Sequence, residues 1–566
     1  MHYKNITTAT YAPAGYLHER SVEQLEADID KAGKYVKLDK IYLETYRSDV
    51  LVDREKMEDI INIFAGKGYK LSGGITTAVS GTLMGAMCYT SEKTRKLLGE
   101  VAAYTAELFD EVMIDDFYFT NCRCEECIKA KGDRDWATFR LELINEFSKD
   151  VIIKNAKAAR PDVNIIIKFP NWYESFANCG YNLQQASPIF DMVYTGTETR
   201  DQSYTQQNLA RYLSYFLPRL LENIKPGKNG GGWYDLFECN LEDYIQQVYL
   251  TLYSKCREQM LFCLPLLCAQ PAFAAAAGAT FDEFDPIIAQ LGKPVGVACY
   301  EPYHEVNNHS GERHLYDFIG MLGIPLEPYP YYPEDATVVL LTESAARDND
   351  IVTHIKNTLL GGGSVFMTSG LYKALEGEIE DIYPVTITSK KVSTDTFKSN
   401  AFARNNGTFE KSRSVITIPH IDYNTNDIWM MSAAMTHHYS HPMLLCGTYG
   451  NGKLYVLTIP DSPDALYDLP SGMLLCLRNE IDLPVTLECG AGVGLVTYDN
   501  DTFIIQSFIT RPEKVRIRLK TPGEIEFLSS GMARYMLTKI DDHTYDVFLL
   551  PGRYIVMEVV EESSST

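Results

Sequence analysis

The chain has 566 residues, 45% of them hydrophobic, which is enough for two to four domains that each bury a core and excludes a disordered or fibrous protein. A net charge of −23 excludes nucleic acid and anionic membrane as partners, since both reward clustered Lys and Arg. No apolar segment follows Met1-His2-Tyr3-Lys4-Asn5, and no run approaches the ~18 apolar residues that span a bilayer, so the expected location is cytoplasmic. The 13 cysteines lie mostly singly in apolar stretches (Cys263, Cys268, Cys299, Cys446, Cys476), as small buried thiols of a reducing compartment do.

From the N-terminus to about residue 292, short apolar runs alternate with amphipathic stretches at intervals of roughly 35 residues, the rhythm of βα units. The expected strands are Thr10 to Leu17, Lys40 to Tyr46, Leu71 to Thr77, Val112 to Phe117, Asn164 to Phe169, Met192 to Thr197, Gly231 to Leu236 and Met260 to Leu266. Ser21 to Ala32 reads as a Ser-capped helix, and Trp136 to Ala159 carries apolar residues at helical spacing. Eight such units predict a (β/α)8 TIM barrel over 1–292. The rival, a doubly wound open sheet, lacks a Gly-rich phosphate loop after its first strand.

Lys293 to Ala298 begins a second, flavodoxin-like α/β domain over 293–483, with strands Ala336 to Leu341 and Ser364 to Met367 around the helix Asp348 to Leu360. A Thr-, Ser- and Asn-rich stretch near 378–430 reads as a β-rich insertion, after which Lys453 to Ile459 and the helix Ser471 to Asn479 return to α/β. From 484 to 566 alternating strands (Thr502 to Ile509, Lys514 to Leu519, Thr544 to Leu550, Tyr554 to Val559) predict a small all-β sandwich with a frayed polar tail.

Chemistry concentrates where the fourth strand ends, in Asp115-Asp116-Phe117-Tyr118-Phe119-Thr120-Asn121-Cys122-Arg123-Cys124-Glu125-Glu126-Cys127. Catalytic residues of an α/β barrel sit at that end of its strands. Cys122, Cys124 and Cys127 can wrap one side of a tetrahedral zinc, and Cys88, in the loop after strand three, is the natural fourth ligand. Closed by four thiolates, such a zinc is structural. Asp116 is the candidate general acid/base, with Asp115 raising its proton affinity; the bland reading is an acidic pair that caps the following loop. Other strand ends supply Glu44, Lys168, Glu198 and Arg200 as candidate ligand-binding groups; Lys168 and Arg200 could bind hydroxyl groups or hold carboxylates ionised, with an internal salt bridge as the alternative for Lys168. Trp172 and Trp233 are candidate stacking platforms, or simply core aromatics. Glu301, His304, Asn307, His309 and His314, and the run Thr436 to His441, show no tight ligand spacing and read as surface loops. No Ser-centred nucleophile elbow, Walker loop or dinucleotide fingerprint is present.

The cysteine-bearing loop after strand three, the acidic pair ending strand four and the Cys-x-Cys-x-x-Cys behind it resemble the family-42 β-galactosidases of the glycoside hydrolases. The resemblance implies a barrel, a flavodoxin-like domain that trimerises, and a small β domain. Family 42 carries Asn-Glu where this chain has Asp115-Asp116, which points to a sister family with another sugar or linkage. The resemblance also implies a carbohydrate substrate, no organic cofactor, a homo-oligomer (trimer by analogy, or dimer), and a retaining mechanism whose second carboxylate comes from strand seven. There, in Gly230-Gly231-Gly232-Trp233-Tyr234-Asp235-Leu236-Phe237-Glu238, Asp235 directly follows the apolar run and is the favoured nucleophile, while Glu238 is the alternative or the start of the next helix. Two other readings stay open: an α-glycosidase with Asp116 as nucleophile, and a non-catalytic sugar-binding or scaffold protein.

Overall fold

The computed structural model describes residues 2–79, 85, 87–303, 311–399, 408–528 and 537–560. His304, Asn307, His309 and the polar tail after residue 560 lie outside them. The chain divides into two compact units, the first built from residues up to Ala289 and the second from most of the remaining chain.

Among the described residues of the first unit, eight parallel strands close into a barrel: β1 Thr7–Ala12, β2 Lys40–Arg47, β3 Lys70–Ile75, β4 Glu111–Ile114, β5 Asn164–Phe169, β6 Met192–Gly196, β7 Asn229–Asp235 and β8 Glu258–Phe262. Each pairs with its sequence neighbour, and β8 pairs with β1. The first strand starts earlier than its apolar run and stops at Ala12, because Pro13 ends it and caps the helix Ala14–Glu19. The eighth likewise ends at Phe262, where a helix with Pro265 in its first turn begins at Leu264. Ser21 caps Val22–Ala32 through a reciprocal box with Gln24. The long helical pattern from Trp136 to Ala159 runs as two α-segments joined by a π-turn at Ser148–Ile153.

The barrel interior is layered. At the N-terminal face Lys40 donates to Glu111 and, at 2.9 Å, to Glu258 and the Tyr42 hydroxyl, while Ser72 and Asn164 complete the Glu111 carboxylate. Above lie Tyr11, Tyr42, Met113, Ile166, Tyr194, Trp233 and Met260. The triple glycine before Trp233 serves close approach within the barrel: a Cβ on Gly231 would meet the Tyr194 hydroxyl and the Glu258 carbonyl at 2.5 Å.

In the second unit, parallel strands run Leu326–Tyr329, Val297–Tyr300, Val338–Leu341, Ser364–Thr368, Gly452–Leu457, the 2-1-3-4-5 order of flavodoxin-like sheets. The β-rich stretch extends this same sheet: Ser440–Tyr449, Trp429–Met435 and the hairpin Val385–Lys398 with Phe409–Tyr423 add antiparallel strands at one edge. Two further antiparallel sheets face each other over a shared core that includes Leu487, Leu495, Ile505, Ile517, Val547 and Met557, a β-sandwich. The stretch Lys293 to Ala298, expected to open the α/β domain, is divided between both: Pro294–Val295 pairs with Val493–Tyr498 of the sandwich, and Val297–Tyr300 enters the parallel sheet. Arg478, fully buried, donates to the carbonyls of Leu322, Leu487 and Cys489 and so joins the two layers of this unit.

Candidate active site

Buried strands of a barrel are apolar, so charged groups gathered at their C-terminal ends call for a chemical reason. β4 stops at Ile114, Asp115 continues the ladder by donating its N–H to the Ile75 carbonyl, and the chain turns there with the Tyr118 N–H on the Asp115 carbonyl. Both side chains of the acidic pair face inward, Asp115 being 2% and Asp116 6% exposed.

Lys168, on β5 and 1% exposed, lies between the pair and Glu198, just past β6. Its Nζ donates to Asp116 Oδ2 at 2.5 Å and to Glu198 Oε1 at 3.1 Å, and stands 3.9 Å from Asp115 Oδ1. The ammonium also sits 4.2 Å from the centre of the Trp233 ring, which stacks on Phe262. Trp233 is thus a buried floor beneath the charge cluster; Trp172 is half-buried, edge-on to Phe119.

A second cluster flanks Asp115. Arg47, at the end of β2, grips Glu44 through Nε at 2.9 Å and Asp115 through its other arm at 2.7 Å. Glu44 also accepts from Tyr11 at 2.8 Å, from the Ala14 amide at 2.6 Å and from Thr76. A carboxylate so fully engaged holds its neighbours in place and has little capacity left for a ligand. The third cluster lies past β6 and β7: Arg200 forks onto Asp235 at 3.0 and 2.7 Å and stands 3.9 Å from Glu238. Arg200 and Glu238 both hold left-handed backbone, at φ 56° and 48°, a strain that residues with side chains adopt where geometry at a site demands it. Glu238 is half-exposed and precedes the helix Leu241–Tyr253, whose cap is Asn240, so it takes no part in that helix.

The environment sets the carboxyls apart. Burial alone would raise Asp115, but Arg47, Lys168 and the Asp116 amide hold it below the usual carboxylate range. Asp116 goes the other way: burial, with the charges of Asp115 and Glu198, outweighs Lys168 and pushes it up to about 7. Glu198 is also raised, by burial first and by Asp235, against the pull of Lys168. Lys168 is held above the ordinary lysine value, because its three carboxylates outweigh its burial.

The candidate residues therefore fall into three clusters: Asp115, Asp116, Lys168 and Glu198 together, Glu44 tied to Asp115 through Arg47, and Asp235 with Glu238 around Arg200, whose charges act on Glu198. Sequence reasoning misses Arg47, Tyr181, whose hydroxyl donates to the Asp116 carbonyl, and Asn171, which donates to the Glu198 carbonyl at 2.6 Å. Arg47 carries a signal, since a charged residue closing a buried strand three positions after Glu44 belongs to the strand-end set; Tyr181 and Asn171 lie in loops without a pattern.

The sulfurs of Cys88, Cys122, Cys124 and Cys127 lie within 4.8 Å of one another, Cys88 being 3.6 Å from Cys124 and 3.5 Å from Cys127. Tetrahedral zinc with ~2.3 Å bonds needs sulfurs ~3.8 Å apart, so the donor set fits the metal. All 13 cysteines are free thiols. Hydrogen bonds from the Cys127 amide and the neighbouring thiols lower Cys124 to about 7, which eases formation of the thiolate a metal binds.

A family model described as "Probable glycosyl hydrolase, catalytic domain" matches residues 1–301. The chain belongs to this glycosyl hydrolase family. Two further models match the hydrolase beyond its barrel: the second domain of the uncharacterized protein SSO3021 over 292–462, and "Probable glycosyl hydrolase, C-terminal domain" over 484–548. SSO3021 itself, from Saccharolobus solfataricus, is 26% identical over 516 residues, covering 81% of this chain and 82% of that protein. Among solved structures, a β-galactosidase from Bacillus circulans sp. alkalophilus superposes with TM-score 0.65 at 12% identity over 99% of both chains. The α-L-fucosidase isoenzyme 2 of Paenibacillus thiaminolyticus gives TM-score 0.66 at 11% identity over 99% of this chain and 100% of that one. At such identities these two likenesses speak for the fold of the glycoside hydrolase. No helix among the described residues is long and apolar enough to cross a membrane.

Proposed function

We propose that the barrel mouth cleaves glycosidic bonds of small neutral oligosaccharides or glycosides, galactoside-like ones favoured, with retention, using Asp116 as acid/base and Asp235 as nucleophile. The observation that carries this is the separation of neighbouring carboxyls, with Asp115 held ionised and Asp116 pushed up to about 7 at the end of β4, so that one group can hold a proton near neutrality and deliver it. In the first step Asp116 protonates the leaving oxygen as Asp235 attacks the anomeric carbon. In the second, water displaces the Asp235 ester and returns a proton to Asp116. The Arg200 fork orients Asp235 at the end of β7. A neutral substrate fits the charge of the mouth: among the described residues, Glu44, Asp115, Asp116, Glu198, Asp235 and Glu238 pair with Arg47, Lys168 and Arg200.

One observation favours a second reading. Lys168 lies 2.5 Å from an Asp116 oxygen, a contact that suits an anionic nucleophile, and a fold neighbour is an α-L-fucosidase. A mechanism-based 2-deoxy-2-fluoro glycoside, followed by peptide mapping, separates the two. A label on Asp235 supports the first reading and a label on Asp116 establishes an α-glycosidase with Asp116 as nucleophile. A chain that cleaves no nitrophenyl glycoside and takes no label is instead a sugar-binding scaffold. Zinc on the four cysteines, the three-part division at 292 and 483, a cytoplasmic location and self-association as trimer or dimer through the α/β domain belong to the same proposal.

A further inference from the structure

A buried lysine held by two separate carboxylates at once is costly unless it serves them both. Lys168 is such a group, with Asp116 and Glu198 each at hydrogen-bond distance and Asp115 within 4 Å. Glu198 offers one oxygen to the ammonium; its other oxygen, Oε2, is buried without a hydrogen-bond partner among the described residues, packed over Gly196, where a Cβ would come within 2.8 Å of it. Gly196 therefore makes room for a buried carboxylate whose side-chain hydrogen-bond donor among the described residues is Lys168.

We propose that Lys168 and Glu198 are positioning residues that form a counter-charge pair for Asp116, the ammonium leaning on Asp116 when that carboxyl is ionised and on Glu198 when it is protonated. The inference rests on the reading of Asp116 as acid/base. When Asp116 gives its proton to the leaving oxygen, a negative charge appears on a buried group, and Lys168 already stands 2.5 Å away to neutralise it. When water returns the proton, Glu198 keeps the ammonium from being stranded. Lys168 remains an ammonium throughout, and no proton passes through it.

The other charged groups around Asp116 are fixed elsewhere. Asp115 is tied to Arg47 from β2, which also holds Glu44, and Asp235 is tied to Arg200. Tyr181 and Tyr11 are phenols held well above their ordinary value by burial and neighbouring carboxylates, so they stay neutral. Lys168 and Glu198 are thus the charges best placed to move with the Asp116 proton.

The two members act on Asp116 with opposite sign, and that sets the test. Removing the cation in Lys168→Met raises the Asp116 proton affinity and moves the alkaline limb of kcat/KM upward by about 1 pH unit or more. Removing the anion in Glu198→Gln lowers it and moves the same limb downward by about half a unit. A merely structural role lowers activity without such opposed shifts. Because Lys168→Met uncovers three buried carboxylates and can unfold the barrel, Glu198→Gln, isosteric and neutral, is the decisive arm. The Asp116 carboxyl carbon, assigned by its loss in Asp116→Asn, is titrated by 13C NMR in the wild-type chain and in Glu198→Gln. A lower midpoint in the variant supports the inference; an equal or higher midpoint overturns it. The NMR result stands even if the wild-type chain cleaves no glycoside, an outcome that defeats the acid/base reading alone.

Discussion

Lys40 at the barrel floor gives the sharpest stability prediction. Its ammonium is shared by Glu111 and Glu258, with the Tyr42 hydroxyl as a third partner, and its side chain is 9% exposed. Lys40→Met keeps the volume but leaves two partly buried carboxylates facing each other without a cation. Removing one partner of a buried ion pair costs about 3–5 kcal/mol. In a unit of this size 1 kcal/mol shifts Tm by roughly 2–4 °C, so the barrel transition should fall on the order of 10 °C. The pH dependence follows from both partners. Against burial, the carboxylates raise Lys40 above its ordinary value, so its contribution is complete below the unfolded lysine range and lost as pH rises through the folded value. Glu111, which burial alone would raise, is held low chiefly by Lys40, so its contribution is complete above the unfolded carboxylate range and lost as pH falls through the folded value. The gap between wild type and Lys40→Met should therefore be flat from about pH 5 to 9 and shrink in acid. Calorimetry with the triple variant K40M/E111Q/E258Q checks the assignment, because removing every charge should restore most of the loss. A Lys40→Met barrel that melts within about 1 °C of wild type refutes the reasoning.

Other outcomes follow from single sites. Chelator-washed protein should retain about one zinc per chain, and Cys124→Ser should lose it, as read by elemental analysis. Gly196→Ala pushes a methyl to within 2.8 Å of Glu198 Oε2 and should cut kcat about tenfold or more while circular dichroism stays native. Arg478→Met strips the hydrogen bonds from three buried carbonyls and should destabilise the second unit by about 3 kcal/mol or more, measured in urea, with the barrel transition unmoved.

The barrel is legible because its strands are buried on both faces and read as apolar runs; Asn164 to Phe169 coincides with the observed strand. The starts of β4 and β8 read late. Glu111 and Glu258 begin β4 and β8 because the Lys40 cluster needs them there, and an apolar criterion cannot include them. Strand ends read long where proline redirects the chain, as at Pro13 and before Pro265. The acidic pair and the cysteines are legible as local clusters, and Cys88, 36 residues from Cys124, is reached by the topology of adjacent barrel loops. The role of Arg47 is not, because its second partner Asp115 is 68 residues distant. That Lys168 and Glu198 form one unit is likewise a property of adjacent strand ends and depends on side-chain reach.

The central claim is that Asp116 does acid/base work on a glycoside, and the most direct test is leaving-group dependence. On activated nitrophenyl glycosides and on their unactivated alkyl counterparts, Asp116→Asn should lose far more activity with the alkyl leaving group, which needs the proton, by about 100-fold or more. Equal losses on both, or an Asp116→Asn chain as active as wild type, would contradict it.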